Sequence, residues 1–418
     1  MVKAMIVTVG TGKEGKDIAK AICFSVKQQD PCYIVFVTSR ISQEKTMPFI
    51  KKDKVMQSRN FEERLLDDEN NVEQIEIECA NFIQEVTNKG FLPEDIVIDF
   101  TSGTKAMSVG LVLAALNLQG ITLSYIAGRR NSEGRVISGE ETVRTQTPNR
   151  IFFNSLFKDS VYLFNKYQFN ACLELIFKAK ELLSDYEYLQ KANTLENIAL
   201  AYSSWEKFDH QKAFQILNEV TRSNGKKWLL NWNIKNSIER NKQILYKELG
   251  GNYSDERVID LLENACRRAE EGKYDDAVAR LYRLLEYLAQ YQLYTKYNKV
   301  ETKSLDISKL PNKLQTKYQN LKNREGEIAI SLFESYELLK DLNDELGIKF
   351  VNDYKRKEGK IKKLLSIRNN SILAHGFQPV GEAEFKILQK LLDDYIRLII
   401  KDYNNLKKNV KFPKIKII

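Results

Sequence analysis

Chemistry-bearing residues are sparse in this chain of 418 residues, which has only two histidines and five cysteines. One histidine, His375, lies seven residues after Arg368, in the stretch from Ser366 to Gly376. Read as a helix, Ile361, Leu364, Leu365, Arg368, Ile372 and His375 share one face. Aliphatic residues come first on that face, then an arginine and an imidazole two turns apart. Gly376 is the expected helix end. An arginine on such a face is costly to bury unless it is paired or used. A guanidinium can stabilise charge on a pentacovalent phosphate, and an imidazole can move a proton. With no metal ligands close by in sequence, the pair suits metal-independent RNA cleavage, in which a 2′-hydroxyl attacks the adjacent phosphate. The competing reading is a helix-capping histidine beside a buried arginine–carboxylate pair. The other histidine, His210, has no comparable neighbours and reads as surface or structural.

Two glycine-bearing loops point to phosphate binding. Gly10, Thr11, Gly12 and Lys13 follow the apolar run 4–9, and the segment through Gly15 matches G-x-G-x-x-G. Such glycines admit backbone N–H groups to a phosphate at a helix N-terminus, although a tight turn alone would also select them. The acidic residue that should end the second strand and hold a ribose is missing. Thr38, Ser39 and Arg40 stand there, which leaves an NADP-linked oxidoreductase as a lesser alternative. Asp17 occupies the Ser/Thr position of a Walker loop and argues against a nucleoside triphosphatase. The second loop, Thr101, Ser102, Gly103, Thr104 and Lys105, follows the run 96–100 and opens a helix containing Met107. Hydroxyls, a lysine and free helix N–H groups make an anion-binding nest. Gly128 and Arg129 follow a further run, 121–127. Open parallel sheets bind ligands at the carboxyl ends of their strands. These loops are therefore expected to converge on one edge and to suit a ligand with several phosphates.

The elements that must position these residues follow from the pattern around them. The runs 4–9, 33–37, 96–100 and 121–127 are short, β-rich and separated by helix-length segments. This alternation predicts a Rossmann-like parallel sheet with helices on both faces over residues 1–150. No proline falls between Pro148 and Pro311, which permits a long all-helical stretch. A helical middle region over 151–250 and a helical domain over 251–418 are expected, divided at Gly250, Gly251 and Asn252. The fold class is thus α/β plus all-α. Residues 164–171, 208–213 and 274–277 share a loose theme, an aromatic residue at a turn and then alanine in the next helix.

Charge is unevenly divided. Residues 1–150 carry 19 Lys+Arg against 20 Asp+Glu, and the remainder carries 46 against 36. The surplus in the helical part fits a polyanionic partner such as RNA, or else a solvated surface with the Lys-rich segment 401–418. The odd, scattered cysteines lack a CxxC pair and suggest a reducing cytoplasm without a zinc or disulfide framework. No apolar run approaches the ~18 residues of a membrane span, and residues 1–5 lack the layout of a signal peptide. A cytoplasmic protein without a membrane partner is expected.

The two motif regions resemble known families. Gly10-Thr11-Gly12 after the first strand, with Asp99, Thr101, Ser102, Gly103, Thr104, Lys105 and Met107 before a helix, resembles a CARF domain over about residues 1–145. Arg368, Asn369, Ser371, Ile372, Ala374, His375 and Gly376 resemble the R-x(4–6)-H signature of HEPN ribonucleases, with six intervening residues. Residues 274–286 resemble the first HEPN helix, and the likeness covers about 255–400. Together these resemble the CARF–HEPN ancillary ribonucleases of type III CRISPR defence. The resemblance implies a homodimer formed through both domains, with cyclic oligoadenylate bound at the loops named above as allosteric activator. Cyclic tetra-adenylate is favoured over hexa-adenylate, and no other cofactor is implied. Arg368, Asn369 and His375 from two copies would cleave single-stranded RNA without metal, leaving a 2′,3′-cyclic phosphate and a 5′-hydroxyl. The hydroxyls of Thr11, Thr101, Ser102 and Thr104 raise slow cleavage of the activator as a secondary activity. The main alternative is a non-catalytic, nucleotide-sensing regulatory dimer.

Overall fold

The structure is a computed structural model and describes residues 3–129, 136, 139–323, 326–356 and 359–416. The chain divides into two compact units, Met1–Ser155 and Leu156–Ile418.

The first unit is built on strands β1 (Ala4–Val9), β2 (Tyr33–Thr38), β3 (Asn60–Leu65), β4 (Ile96–Asp99), β5 (Thr122–Ala127) and β6 (Thr142–Gln146). They form one sheet in the order β3-β2-β1-β4-β5-β6. β1 to β5 run parallel, as the alternation predicted, whereas β6 pairs antiparallel with β5. Every residue of β1 is buried, because helices cover both faces of the sheet. These are α1 (Lys16–Gln29), α2 (Arg40–Lys45), α3 (Met47–Lys52), α4 (Val72–Asn88) and α5 (Lys105–Ala115). Met5, Val7 and Val9 pack against Ala19, Ile22 and Val26 of α1 and Met47 and Ile50 of α3. Ala4 and Ile6 face the other way, toward Ile75, Cys79 and Ile83 of α4 and Met107 and Leu111 of α5. The two strands without an apolar run, β3 and β6, are the sheet's edges. Charged and polar side chains on edge strands discourage pairing with other chains, and the same residues hide such strands from a hydrophobicity pattern.

The second unit is helical. It begins within α6 (Asn149–Asn165) and goes on with α7 (Phe169–Glu181), α8 (Tyr186–Glu206), α9 (His210–Arg222), α10 (Lys226–Asn231) and α11 (Lys235–Glu248). It continues with α12 (Asp255–Glu270), α13 (Tyr274–Lys296), α14 (Asn312–Gln319), α15 (Leu332–Asp341) and α16 (Glu345–Lys355). Its last helices are α17 (Lys360–Asn370), α18 (Glu382–Ile399) and α19 (Tyr403–Val410). The loose aromatic theme has a backbone cause. Tyr167, Phe208, Asn233, Gly272 and Asn343 all adopt positive φ, between 53° and 76°. After each, the next N–H bonds the carbonyl five residues back, as in Gln168 to Leu163 and Asp209 to Ser204. This is the Schellman stop, which satisfies a helix's last carbonyls and lets the next helix turn back.

The expected boundary at 250–252 is a loop inside this unit. Trp205 Nε1 donates to Asp260 Oδ2 at 2.9 Å, and Asn241 Nδ2 donates to the Asn409 carbonyl at 2.6 Å. The Lys-rich terminal segment is not a solvated tail. Val410, Phe412 and Ile415 are buried. Phe412 sits among Tyr202, Trp205 and Phe169, while Asn165 bonds the backbone of Ile415 in both directions at 2.8 Å.

Candidate functional site

The sheet's carboxyl edge gathers the four loops. β1 and β4 are neighbours whose following helices lie on opposite faces, so this is the topological switch point where such sheets bind ligands. Val7 pairs with Asp99, which sets the loop after β4 beside Thr8 to Gly10. The approach is close enough that a Cβ on Gly10 would stand 2.6 Å from the Gly103 nitrogen. Both loops need glycine for each other.

Much of the polar equipment expected for a ligand is used to build this edge. Ser102 Oγ donates to the Thr8 carbonyl at 2.5 Å, accepts from Gly10 N–H at 3.2 Å, and its own carbonyl accepts from Thr8 Oγ1. Thr101 Oγ1 accepts from Ile126 N–H at 2.9 Å. Thr104 caps α5, accepting from Met107 N–H at 3.1 Å while donating to the Glu69 carbonyl at 2.7 Å. Met107 itself is buried in the core and does not face a ligand. Thr38 Oγ1 donates to the Arg64 carbonyl at 3.1 Å, and Ser39 caps α2 in a reciprocal box with Ser42. Arg129 is held by Glu140 in a two-pronged contact of 2.8 and 3.1 Å. Exposed Arg40 and Lys105 form no ion pair with any described residue. Thr11 is half-buried, Gly12 and Lys13 are exposed, and Gly128 closes against Glu140.

Asp99, at the end of β4, organises the second loop from beneath, a role the sequence reading did not assign. It is fully buried and accepts from Thr101 N–H at 2.9 Å, Ser25 Oγ at 2.5 Å and Ser124 Oγ at 3.3 Å. Burial raises its carboxyl above the usual range, against the pull of the donors from Ser25, Thr101 and Ser124.

The second constellation differs from expectation in its backbone. The helix does not continue to Gly376, because α17 ends at Asn370. Asn369, Asn370 and Ser371 favour competing local bonds over helix. Ser371 turns both its N–H and its hydroxyl onto the Arg368 carbonyl, at 3.2 and 2.9 Å. The chain then folds back. His375 N–H bonds the Asn369 carbonyl at 3.1 Å, and Gln378 N–H bonds that of Asn370 at 2.8 Å. Gly376 passes so near that a Cβ would lie 2.2 Å from the Asn370 oxygen. His375 thus reaches Asn369 through a turn rather than along a helical stripe.

Arg368 is half-buried, with its guanidinium 4.7 Å from the Tyr282 ring of α13 and Nη1 donating to Asn369 Oδ1 at 3.1 Å. Asn369 and His375 are exposed, and the imidazole makes no hydrogen bond to a described residue. Tyr282 was missed by sequence reasoning, although it lies in the segment 274–286 that resembles a HEPN helix. Around the turn, Ile372, Leu373 and Phe377 are 65%, 54% and 90% exposed. Such clustered apolar exposure marks an interaction surface.

His210 is buried rather than on the surface. Its Nδ1 lies 3.0 Å from Glu248 Oε2 and its Nε2 lies 3.3 Å from Asp260 Oδ2. Burial opposes its charge, but the adjoining carboxylates of Asp260 and Glu248 push the imidazole up to about 9. Burial and the charge of Asp260 raise Glu248, against His210 and Arg257. Arg267 bridges Asp260 and Glu206. His210, Glu248 and Asp260 are close enough to hold a metal, but a ligating imidazole must be neutral with one nitrogen on the ion. Here both ring nitrogens already stand within 3.3 Å of carboxylate oxygens and the imidazole is raised, which favours an ion-pair network. Burial also pushes the thiols of Cys23, Cys79, Cys172 and Cys266 up to about 12, which leaves them inert as nucleophiles at neutral pH. No helix among the described residues is long and apolar enough to cross a membrane.

Residues 252–399 match the family model described as the Csm6 HEPN domain. The fold resembles that of Enterococcus italicus Csm6 bound to cyclic hexa-2′-fluoro-hexa-dAMP, with TM-score 0.58, 14% identity and 98% of each chain covered. A type III CRISPR defence DNA nuclease activated by cyclic oligoadenylate is matched over 48% of this chain and 34% of its own, at 10% identity and TM-score 0.25. No curated protein matches the chain. Residues 252–399 thus match a HEPN domain of the Csm6 kind, carried in one chain with a Rossmann-like sheet, and the chain as a whole shares the fold of the Enterococcus protein.

Proposed function

We propose that the protein is an endoribonuclease that cleaves single-stranded RNA without metal when cyclic oligoadenylate occupies its sheet edge. The observation that carries this reading is the turn at the end of α17. It presents Arg368, Asn369 and His375 together, with the imidazole exposed and unbonded to described residues. Arg368, held over Tyr282, would stabilise the phosphorane, and Asn369 would orient the phosphate. His375 would transfer the proton between the 2′-hydroxyl and the leaving 5′-oxygen. The products would be a 2′,3′-cyclic phosphate and a 5′-hydroxyl. Exposed Ile372, Leu373 and Phe377 favour a second copy against this face, which would pool two sets of these residues around one phosphate.

On the sheet edge, Lys105, Arg40 and Lys13 would hold phosphates, with Thr11 and the backbone of Gly10, Gly12, Gly103 and Gly128 lining the approach. Arg129 would join them on leaving Glu140. Thr38, Ser39, Thr101, Ser102 and Thr104 shape the loops through the bonds given above. Cleavage of the activator in this domain therefore rests on Thr11, and Thr11→Ala should lengthen the ligand's lifetime if that reading holds. The similar Enterococcus protein was solved with a hexameric ring analogue, so tetramer and hexamer are separate arms of the test. RNA is incubated with the protein in EDTA, with and without each ring. Activator-dependent cleavage to cyclic-phosphate ends is expected. Cleavage that needs metal, or that ignores both rings, refutes the reading.

A further inference from the structure

A cavity of about 580 Å³ opens in the helical unit beside α12 and α13, away from the turn that carries His375. That volume is within the ~300–1,000 Å³ of ordinary ligand sites. One wall is a stack of tyrosines. Tyr253 lies 4.3 Å from Tyr294 at 26° and 5.8 Å from Tyr287 at 11°, and it remains partly exposed toward the space. Cations line the rest. The Arg283 guanidinium stands 5.7 Å from the Tyr287 ring, steadied by Gln290 at 3.1 Å. Arg257 is fixed by the Glu248 carbonyl at 2.9 Å. Lys303 on the rim makes no hydrogen bond or ion pair with a described residue. Glu301 is an opposing acid on the same rim.

An aromatic face flanked by guanidinium and ammonium groups fits a nucleobase joined to a phosphate. Bases of single strands stack on aromatic rings in any sequence, while cations follow the backbone. The cavity also shares a helix with the turn. Tyr282, beneath Arg368, and Tyr287, in the cavity wall, are both on α13. Five residues separate them, roughly 7.5 Å along the axis. Glu286 lies between, 3.6 Å from Arg283.

We propose that the cavity is an accessory subsite for single-stranded RNA, in which a base stacks on Tyr253 and Arg283 and Lys303 hold the neighbouring phosphate. The inference rests on the RNA-cleaving reading for its ligand class. The test is fluorescence anisotropy of full-length His375→Ala protein with a labelled single-stranded RNA of about 12 nucleotides, inside the ~4–16-nucleotide range of such sites. Tyr253→Leu should weaken binding about tenfold, as loss of one base stack does. Lys303→Glu, on an exposed side chain with no structural bond, should weaken it severalfold and lower the salt slope by about one. Parent protein that binds no RNA, or both variants binding as the parent does, overturns the subsite. If the wild type cleaves RNA and the two variants on that background cleave a long strand as well as it does, the subsite alone fails. If the wild type cleaves nothing while the variants still lose binding, the nuclease reading fails and the subsite stands.

Discussion

The chain's two histidines occupy opposite environments. His210 is enclosed between Glu248 and Asp260, with Trp205 and Arg267 bonded to the same aspartate. His375 stands exposed on a turn, held among the described residues through its backbone. Charge on the first is fixed by its neighbours, and it ties α9 to α11 and α12. The second ring makes no hydrogen bond to a described residue. One residue type is thus locked into the fold where carboxylates surround it and left open where the turn presents it, as the proposed chemistry requires. The difference is one of partners, which lie far apart in sequence.

The comparison breaks most sharply if the roles are exchanged by mutation. His375→Ala should reduce RNA cleavage by about 10²–10⁴-fold, the usual contribution of a positioned proton-transfer group, and leave the melting temperature unchanged. Single-turnover cleavage beside calorimetry checks both halves. Near-normal cleavage would remove His375 from the chemistry.

His210→Ala should do the reverse. Removing one member of a buried ion-pair network strands the others, at a cost of about 3–5 kcal/mol. A large fall in unfolding midpoint is expected, with cleavage per folded molecule retained. The pH dependence sharpens the same point. The folded imidazole is raised from its ordinary value of about 6.5 to about 9. Its stabilisation is therefore complete below about 6.5 and is lost as pH rises through about 9. Urea unfolding of the wild type should show the helical unit weakening across that window, and His210→Ala should flatten the slope there. An unchanged slope would mean that the ring is neutral in the fold.

Legibility in the sequence followed the range of the interactions. Runs such as 4–9 announce strands because both sides of β1 are buried, and the alternation gave the sheet and its switch point. β3 and β6 stayed hidden because an edge strand need not be apolar. The aliphatic spacing from Ile361 to Ile372 suggested a helix reaching Gly376. Local competition from Asn369, Asn370 and Ser371 ends it at Asn370, and that competition leaves no mark on periodicity. The least legible features were the partners of polar groups. Thr8 and Ser102 bond across 94 positions of sequence, and Trp205 and Asp260 across 55. Hydroxyls that read as ligand contacts were serving those distant backbones.

A final contrast within the sheet edge is smaller and separates building from binding. Thr104 caps α5 and ties the loop to Glu69, whereas its neighbour Lys105 is exposed and unpaired among described residues. Thr104→Ala should cost about 1 kcal/mol, as lost helix caps do, lowering the melting temperature by roughly 2–4 °C for a domain of about 150 residues. Lys105→Ala should leave melting unchanged and weaken cyclic oligoadenylate severalfold, because it removes a cation from the ligand and no bond from the fold. Calorimetry beside ligand titration distinguishes the two. If Lys105→Ala lowers the melting temperature and leaves affinity intact, the exposed cations of this edge belong to the fold, and the ligand must be held by the loop backbone.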